Sequence, residues 1–335
     1  MAVRLKRLGE QVMVVTGASS GIGLVTSRLA AARGARVVMV ARGGATLEQA
    51  AAEIREGGGA VMPVVADVGE PGALDRVAER VTAEFGRLDT WVNNAGVGLY
   101  GRLEEVPLED QRRLFETNFW GVVYGCRAAL PLLRRQGGAL INIGSVEGDL
   151  SMPLSGVYAA SKHAVKAYTD ALRMELLDER APVAVTLVRP TAIGTPFFEH
   201  ARSYLGVEPA PPPPVYAPET VARAILHCAQ HPRRSVRVGA PAKVFPTVGA
   251  LAPGLTERVM ARTMIEAQRG DRPSRGSGAL HHPPRDVARE RGWYDGRIRE
   301  RSAYTAAVLR PGRTALAAVG VGLALAWGAR AMGEE

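Results

Sequence analysis

The strongest constraint on the fold is an alternation of two sequence patterns between residues 11 and 241. Short apolar runs typical of buried strands are separated by longer segments with helical periodicity. The strand-like runs lie at 11–17, 35–42, 60–68, 89–96, 138–145, 182–190 and 235–241, and the helical patterns near 22–33, 45–57, 71–85, 108–135, 156–180 and 218–230. This alternation predicts a doubly wound α/β fold, in which helices cover both faces of a parallel sheet. A ligand would then bind beyond the carboxyl ends of the strands.

Length and composition limit the domain organisation. The 335 residues, 47% of them hydrophobic, suffice for one large domain followed by an extension. We predict this domain over residues 10–242, then a helical segment at 243–267, a flexible polar linker at 268–303 and an apolar helix at 304–332. A run of prolines within 191–218 favours a stiff extended segment after a strand, where a substrate lid would lie.

Composition also argues against several classes of protein. Two cysteines, Cys126 and Cys228, are too few for a disulfide framework and lack the spacing of metal ligands, which predicts a reducing compartment and no metal site. The net charge is +9, but aromatic residues are only 5% of the chain, so we expect no nucleic-acid surface. No apolar leader precedes the first strand, which predicts a cytoplasmic protein.

The C-terminal stretch 314–329 is apolar without interruption. Its 16 uncharged residues fall short of the roughly 20 that span a bilayer, although flanking arginines could extend it. Ala318, Gly322 and Ala326 form a stripe of small residues that could pair helices in a membrane. Alternatively, the segment could be a soluble helix that docks on the main domain or on a second copy of the chain. We expect the protein to be a homo-oligomer. The sequence leaves membrane anchoring and docking both open.

A glycine-rich turn, TGASSGIG, follows the first predicted strand at residues 16–23 and opens a helix. Glycines at 17, 21 and 23 would let the backbone turn tightly and approach a pyrophosphate, while the N-terminus of the helix offers free N–H groups to the anion. An ordinary tight turn between a strand and a helix would fit the same letters. In this context we predict a Rossmann-like dinucleotide site.

The end of the second strand predicts which dinucleotide is bound. A carboxylate there would bind the ribose hydroxyls of NAD, whereas a basic residue would neutralise the 2'-phosphate of NADP. Arg42 occupies this place, so NADP is favoured over NAD, although a surface arginine would look the same. Asp67, at the end of the third strand, could hydrogen-bond the adenine or cap the following turn.

Further polar motifs lie at later strand ends: NNAG at 93–96 and GSVEG at 144–148, with ETNFWG at 116–121 on the helix between them. With these motifs the chain resembles the short-chain dehydrogenase/reductase family, as a bacterial-type member with a C-terminal extension. The ordered pattern of the family is matched by Thr16, Gly17, Gly21, Gly23, Asn93–Gly96, Asn118, Ser145, Tyr158 and Lys162. The match covers about residues 10–242, and its order is far more specific than any single motif.

The resemblance implies an NADP-dependent oxidoreductase that interconverts a carbonyl and an alcohol. Tyr158 would be the acid/base, Ser145 would hydrogen-bond the substrate oxygen, and Asn118 would hold a water that links Lys162 to solvent. Lys162 would also bind the nicotinamide ribose. The implied cofactor contacts are Thr16, Gly17, Ser19, Ser20, Gly21, Ile22, Gly23, Arg42, Asp67, Val68, Asn94, Ala95, Gly96, Tyr158, Lys162, Pro190, Ile193 and Thr195.

The spacing of Tyr158 and Lys162 also has a physical reason of its own. Residues four apart share a helix face, so the ammonium can lie near the phenol and lower a pKa that starts near ~10. Such pairs also arise by chance on amphipathic helices. The chain has only four lysines against 38 arginines, which favours a specific need for lysine at position 162.

Two features depart from the pattern of the family. Thr191 stands where a Gly usually follows Pro190, so the backbone could turn differently there. Glu147 and Asp149 lie beside the expected pocket. They could meet a polar group of the substrate or face water, and we favour water.

Apolar residues near the expected site suggest a lipophilic ketone, aldehyde or alcohol as substrate. The candidates for the substrate wall are Val97, Leu99, Tyr100, Met152, Leu154, Phe197, Phe198 and Tyr204, several of which could be core residues. Two other functions stay open. Thr191 and the long tail would suit a sensor or scaffold that binds NADP without turnover, and the same four catalytic residues could serve an epimerase or a dehydratase.

Overall fold

The structure, a computed structural model, describes residues 3–310 apart from 275, 277 and 285–287. The stretch 314–329, predicted above as an anchor or docking helix, lies outside the described residues. The strands are β1 (Val12–Thr16), β2 (Arg36–Ala41), β3 (Val61–Val65), β4 (Thr90–Asn93), β5 (Leu99–Tyr100), β6 (Gly138–Ile143), β7 (Val183–Pro190), β8 (Arg202–Ser203), β9 (Val207–Pro209), β10 (Val215–Tyr216), β11 (Ser235–Val238), β12 (Arg269–Pro273) and β13 (Ile298–Arg299).

The helices fill the spaces between the strands. They are α1 (Gly21–Ala31), α2 (Gly44–Glu56), α3 (Ala73–Phe85), α4 (Leu108–Phe115), α5 (Gly121–Gln136), α6 (Gly156–Asp178), α7 (Pro218–Cys228), α8 (Pro241–Leu251), α9 (Pro253–Ala267) and α10 (Ala303–Leu309). One π-helical turn, Glu116–Trp120, joins α4 to α5, so the single helix predicted there is continuous but locally widened. Short 3₁₀ turns lie at Leu8–Glu10 and Val146–Gly148.

Seven parallel strands form the central sheet in the order β11-β7-β6-β4-β1-β2-β3. Each predicted strand-like run contains one of them, which confirms the doubly wound α/β fold. The chain order reverses beside β1, whose neighbours are β2 on one side and β4 on the other. The crevice at this reversal is where such sheets bind their ligands.

The alternation of side chains along each strand divides the core into two layers. Met13 of β1 packs in one layer with side chains of α1, α2 and α7, such as Leu24, while Val14 packs in the other with side chains of α3, α5 and α6, such as Leu133. All four of these residues are at most 1% exposed. Because both faces are buried, the central strands are apolar throughout, which explains the pattern in the sequence.

The segment predicted as a flexible linker, 268–303, lies against the main domain instead. Its strands β12 and β13 pair with β9 and β10, and Leu280 is fully buried. Its polar side chains find partners in the main domain: His281 Nε2 lies 2.7 Å from an Asp110 oxygen, and an Arg289 nitrogen 2.8 Å from a Glu199 oxygen. The polar residues that predicted a linker therefore form ion pairs with acidic residues that are distant in the sequence.

Helices α8 and α9 pack on each other and expose several large apolar side chains, among them Leu251 and Leu255. Within the described part of the chain, no helix has both the length and the apolar character to cross a bilayer.

Candidate active site

The glycine-rich turn after β1 is a close-packed backbone cradle. A Cβ atom on Gly23 would lie 2.1 Å from the carbonyl oxygen of Gly17, which itself has a φ of +66°. The turn is tied to the end of β4 by Thr16, whose hydroxyl accepts hydrogen bonds from the backbone N–H groups of Asn94 (2.9 Å) and Ala95 (3.0 Å). The Asn94 amide returns a bond to the Thr16 carbonyl at 2.8 Å. Only glycine therefore fits at position 23.

The C-terminal segment contacts this cradle, which the sequence alone does not indicate. The N–H of Gly21, at the start of α1, donates to the carbonyl of Arg289 at 2.9 Å. Arg42 follows β2, and its guanidinium donates to the carbonyls of Ala279 and Leu280, the latter at 3.2 Å. The segment thus forms one wall of the nucleotide side of the crevice.

Arg42 and Asp67 lie close together, as expected for residues that follow the neighbouring strands β2 and β3. The guanidinium Nη1 of Arg42 is 3.7 Å from the Asp67 carboxylate, which also pairs with Arg113. Burial lowers the pKa of Arg42, and the Asp67 charge opposes this shift. Asp67 Oδ1 also accepts a bond from the Gly69 N–H at 2.9 Å, which is the turn-capping role allowed by the sequence.

The π-helical turn places Asn118 inside the molecule, where it is fully buried. Its Oδ1 accepts from the Val97 N–H at 2.8 Å, and its Nδ2 donates to the Val97 carbonyl at 3.0 Å and to the Ser161 hydroxyl at 3.3 Å. Gly96 lies between Asn118 and Lys162, because a Cβ there would be 3.4 Å from Asn118 Oδ1 and 3.6 Å from Lys162 Nζ. Asn118 therefore fixes the backbone beside Lys162.

Ser145, Tyr158 and Lys162 converge beyond the ends of β6 and β4. Ser145 follows β6, and its hydroxyl lies near the Tyr158 phenol, an interaction that by itself lowers the pKa of the phenol. One turn along α6 from Tyr158, Lys162 Nζ lies 5.6 Å from the centre of the phenol ring and donates to the Ile143 carbonyl at 3.1 Å. The predicted four residues thus form one cluster at the sheet edge.

The electrostatics of Tyr158 differ from the expectation that Lys162 lowers its pKa. Burial and the charge of Glu147 raise the pKa of the Tyr158 phenol, and the hydrogen bond with Ser145 only partly opposes this. The Lys162 ammonium is turned toward the Ile143 carbonyl, and burial lowers its own pKa to about 8. The expected lowering was wrong for this arrangement, and the phenol is neutral near pH 7.

Glu147 and Asp149 do not face water, so that expectation was also wrong. The Asp149 carboxylate pairs with Arg189 at 2.6 Å, and both side chains are 8% exposed. Glu147 is 9% exposed, and its Oε2 accepts a 2.6 Å bond from the Ser155 hydroxyl. Burial raises the pKa of Glu147 to about 7. The sequence placed it correctly beside the pocket, two residues after Ser145, but not its burial.

One cavity of about 260 Å³ joins the glycine cradle to the Ser145 cluster. Predicted residues that line it are Gly17, Ser19, Ser20, Gly21, Ile22, Arg42, Val68, Asn94, Ala95, Gly96, Ser145, Tyr158, Lys162, Pro190, Ile193 and Thr195. Behind this wall lie Thr16, Gly23, Asp67 and Asn118.

The substrate wall was predicted only in part. Val97, Tyr100, Met152, Phe197 and Phe198 line the cavity. The other three candidates do not: Leu99 is buried in a separate apolar cluster, the Leu154 carbonyl accepts from Gly101, and the Tyr204 hydroxyl bonds to Asp110. Glu147, which the sequence placed beside the pocket, also lines the cavity, as do His200 and Gln268, which sequence reasoning missed.

Comparison with known proteins identifies this arrangement. The profile of the family described as short chain dehydrogenase matches residues 11–205. The chain belongs to the short-chain dehydrogenase/reductase family. An oxidoreductase of Bacillus subtilis named YxnA, described as uncharacterized, is 46% identical over 332 residues, which are 98% of this chain and 92% of that protein.

Two solved structures of the family resemble the fold. A short-chain dehydrogenase/reductase from Burkholderia phymatum in complex with NAD superimposes with a TM-score of 0.64 and 26% identity, over 75% of this chain and 95% of that one. An alcohol dehydrogenase from the archaeon Thermococcus sibiricus complexed with 5-hydroxy-NADP gives a TM-score of 0.60 and 28% identity, over 68% and 95%. The protein is therefore an oxidoreductase of this family that uses a nicotinamide dinucleotide.

Replacing Glu147 with glutamine is expected to stabilise this family member more at pH 8 than at pH 5. The carboxyl pKa is raised from 4.5 to about 7, so the folded protein holds a proton that the unfolded chain releases. Stability is consequently lost as the pH rises from about 4.5 through about 7, by on the order of 3 kcal/mol at most. Glutamine keeps an acceptor for Ser155 and cannot ionise. Thermal melts at both pH values measure the difference, and an equal gain at both would contradict it.

Proposed function

We propose that the protein is an NADP-dependent oxidoreductase that interconverts a carbonyl and an alcohol, with Tyr158 as the acid/base. The observation that carries the proposal is the single cavity with a backbone cradle and Arg42 at one end and Ser145, Tyr158 and Lys162 at the other. A dinucleotide laid along this cavity would bring its nicotinamide to the polar cluster. The apolar walls around the cluster support a lipophilic substrate.

The described residues fit the cofactor. Gly17, Gly21 and Gly23 let the turn pack closely on Asn94 and Thr195, and the turn lines the cavity at the N-terminus of α1, where a pyrophosphate would bind. Arg42 would bind the 2'-phosphate of NADP, and Asp67 and Val68 would lie near the adenine. The nicotinamide would be held by Asn94 to Gly96, Lys162, Pro190, Ile193 and Thr195. When bound, NADPH supplies the hydride.

Proton transfer is assigned to the Ser145 cluster. As hydride reaches the carbonyl carbon, the substrate oxygen gains negative charge, which the Ser145 hydroxyl stabilises by donating a hydrogen bond. The Tyr158 phenol gives its proton to this oxygen, and alcohol oxidation reverses the transfer. The neutral phenol described above is the form that carbonyl reduction requires. Lys162 would bind the nicotinamide ribose, and Asn118 fixes the backbone beside its ammonium.

Replacing Arg42 with alanine is expected to weaken NADPH binding by about 10- to 100-fold and to leave NADH binding nearly unchanged, since only NADPH carries the 2'-phosphate. Fluorescence titration with both cofactors measures this. Arg80→Ala, an exposed arginine on α3, is the matched control. An equal loss for both cofactors would show that Arg42 supports the fold through Ala279 and Leu280 instead.

An NADPH-oxidation screen across a library of ketones and aldehydes tests the proposed function. Oxidation of NADPH by at least one lipophilic member is the expected result. Cofactor binding without turnover of any member would favour a sensor or scaffold. Conversion of a compound without net NADPH consumption would favour an epimerase or a dehydratase.

A further inference from the structure

Glu147 brings a carboxylate into the substrate end of the cavity. It lies on the 3₁₀ turn after β6, and its backbone N–H donates to the Ser145 hydroxyl at 3.1 Å. Among the described residues that line the cavity it is the acidic one. Tyr100 and Tyr158 lie close enough for its charge to raise the pKa of both phenols. The carboxylate is therefore next to the reacting centre.

This carboxylate is held on one side only. Ser155, fully buried on the same side, donates to Oε2 at 2.6 Å. Over the described part of the chain, no hydrogen bond is made to Oε1 and no cation lies within 4 Å of the carboxylate. Asp149, two residues further on, contrasts with it because that carboxylate is closely paired with Arg189. An ionised carboxylate buried without a cation is costly, so Glu147 is not explained by the fold.

The nearest identified cation, Lys162, does not form an ion pair with the Glu147 carboxylate. Lys162 interacts with Glu147 electrostatically, but its ammonium donates to the Ile143 carbonyl, and the proposed function assigns it to the cofactor ribose. His200 also lines the cavity, but no hydrogen bond or ion pair joins it to Glu147 among the described residues. Met152 and Phe197 are apolar, and the Gln268 amide is occupied by the Pro153 and Met264 carbonyls at 2.9 and 3.0 Å. A cation that pairs with Glu147 must therefore come with the substrate.

We propose that the substrate is an amino ketone, or the corresponding amino alcohol, whose ammonium group binds the Glu147 carboxylate. Its carbonyl oxygen then lies against Ser145 and Tyr158, and its hydrocarbon part lies along Met152 and Phe197. Because Glu147 and Ser145 are two residues apart on one tight turn, the ammonium is only a few bonds from the carbonyl. This inference rests on the proposed function and specifies its substrate class.

Two ketones of the same chain length test the inference: an α-amino ketone and its analogue with a methyl group in place of the ammonium. Wild-type protein is expected to favour the amino ketone in kcat/KM by at least about 10-fold, the range of a well-placed charged contact. Glu147→Gln should remove this preference by lowering kcat/KM at least about 10-fold more for the amino ketone than for its methyl analogue. Glu84→Gln, an exposed acid on α3, should keep it.

Two further variants test the inference even if Glu147→Gln fails to fold. Glu147→Asp keeps the charge and should retain part of the preference. Ser155→Ala removes the donor to Oε2 and leaves the charge, so it should retain the preference too. The preference of the wild type should also grow between pH 6 and pH 7, where the substrate keeps its ammonium, as Glu147 ionises beside Lys162, Tyr100 and Tyr158, whereas a purely structural role would not change it.

Distinct results overturn the inference and the proposed function. Equal kcat/KM for the two ketones in the wild type, or an equal fall for both in Glu147→Gln, would overturn the inference and leave the reductase proposal standing. A hydroxy ketone preferred over the amino ketone would show that Glu147 accepts a hydrogen bond from a neutral group, which also overturns it. If the folded protein binds NADPH and reduces no ketone at all, the proposed function fails.

Discussion

Replacement of Tyr158 with phenylalanine is expected to lower kcat by about 10²- to 10⁴-fold, the usual contribution of a general acid. The phenol is the proposed proton donor, and phenylalanine keeps the ring that packs 5.5 Å from Phe197. Cofactor binding should change little because the backbone cradle is untouched. Steady-state rates on any substrate found for the wild type, together with NADPH titration, measure both quantities.

Tyr168→Phe is the matched control for this prediction. Tyr168 lies on the same helix, α6, outside the cavity, and packs edge-on against Phe119. Its replacement should leave kcat within about 2-fold of the wild type, as expected of a residue with no part in proton transfer. Full turnover by Tyr158→Phe would show that another group donates the proton, and Glu147 would be the first to examine.

Replacement of Gly23 with alanine should have a comparably large effect, but on binding and folding. The added Cβ would lie 2.1 Å from the Gly17 carbonyl oxygen and 2.7 Å from Asn94 Nδ2, so the turn or the end of β4 must move. Misplacing the cradle removes the backbone contacts for the pyrophosphate, and we expect NADPH affinity to fall by at least about 100-fold. The melting temperature should fall as well.

Gly254→Ala is the control for this substitution. Gly254 lies in α9 with no atom within 4 Å of the position that its Cβ would take, so alanine should fit there and slightly stabilise the helix. Titration and thermal melts of both variants give the comparison. Normal NADPH affinity in Gly23→Ala would mean that the dinucleotide does not lie on this turn.

Local patterns were enough to predict the sheet and the glycine-rich turn after β1. A parallel strand buried on both faces needs apolar residues throughout, and the run around β1 shows this without reference to any other segment. The turn at Gly17 to Gly23 is also local, since its glycines are required by contacts within the turn and with the adjacent strand end. The order of the motifs then predicted one cluster at the sheet edge. The structure has Asn118, Ser145, Tyr158 and Lys162 there.

The features that were missed depend on contacts between distant residues. Burial of Glu147 requires Ser155 and Gln268, which approach from the start of α6 and the end of α9. The pKa of Tyr158 is raised first by burial of its own phenol and then by the Glu147 charge, so its direction could not be predicted from the four-residue spacing to Lys162. Likewise, the sequence does not show that His281 and Arg289 of the C-terminal segment pair with Asp110 and Glu199, because these acids are far away along the chain.

The contacts of Gly21 and Arg42 with the C-terminal segment make residues beyond the alternating strands and helices part of the cavity wall. The alternating strands and helices stop near residue 242, and a chain shortened there would keep the motifs of the family. It would lose the carbonyls of Ala279, Leu280 and Arg289 that lie against the cofactor side of the crevice. A shortened chain of this kind would therefore have the glycine-rich turn but an incomplete wall around the cavity beside it.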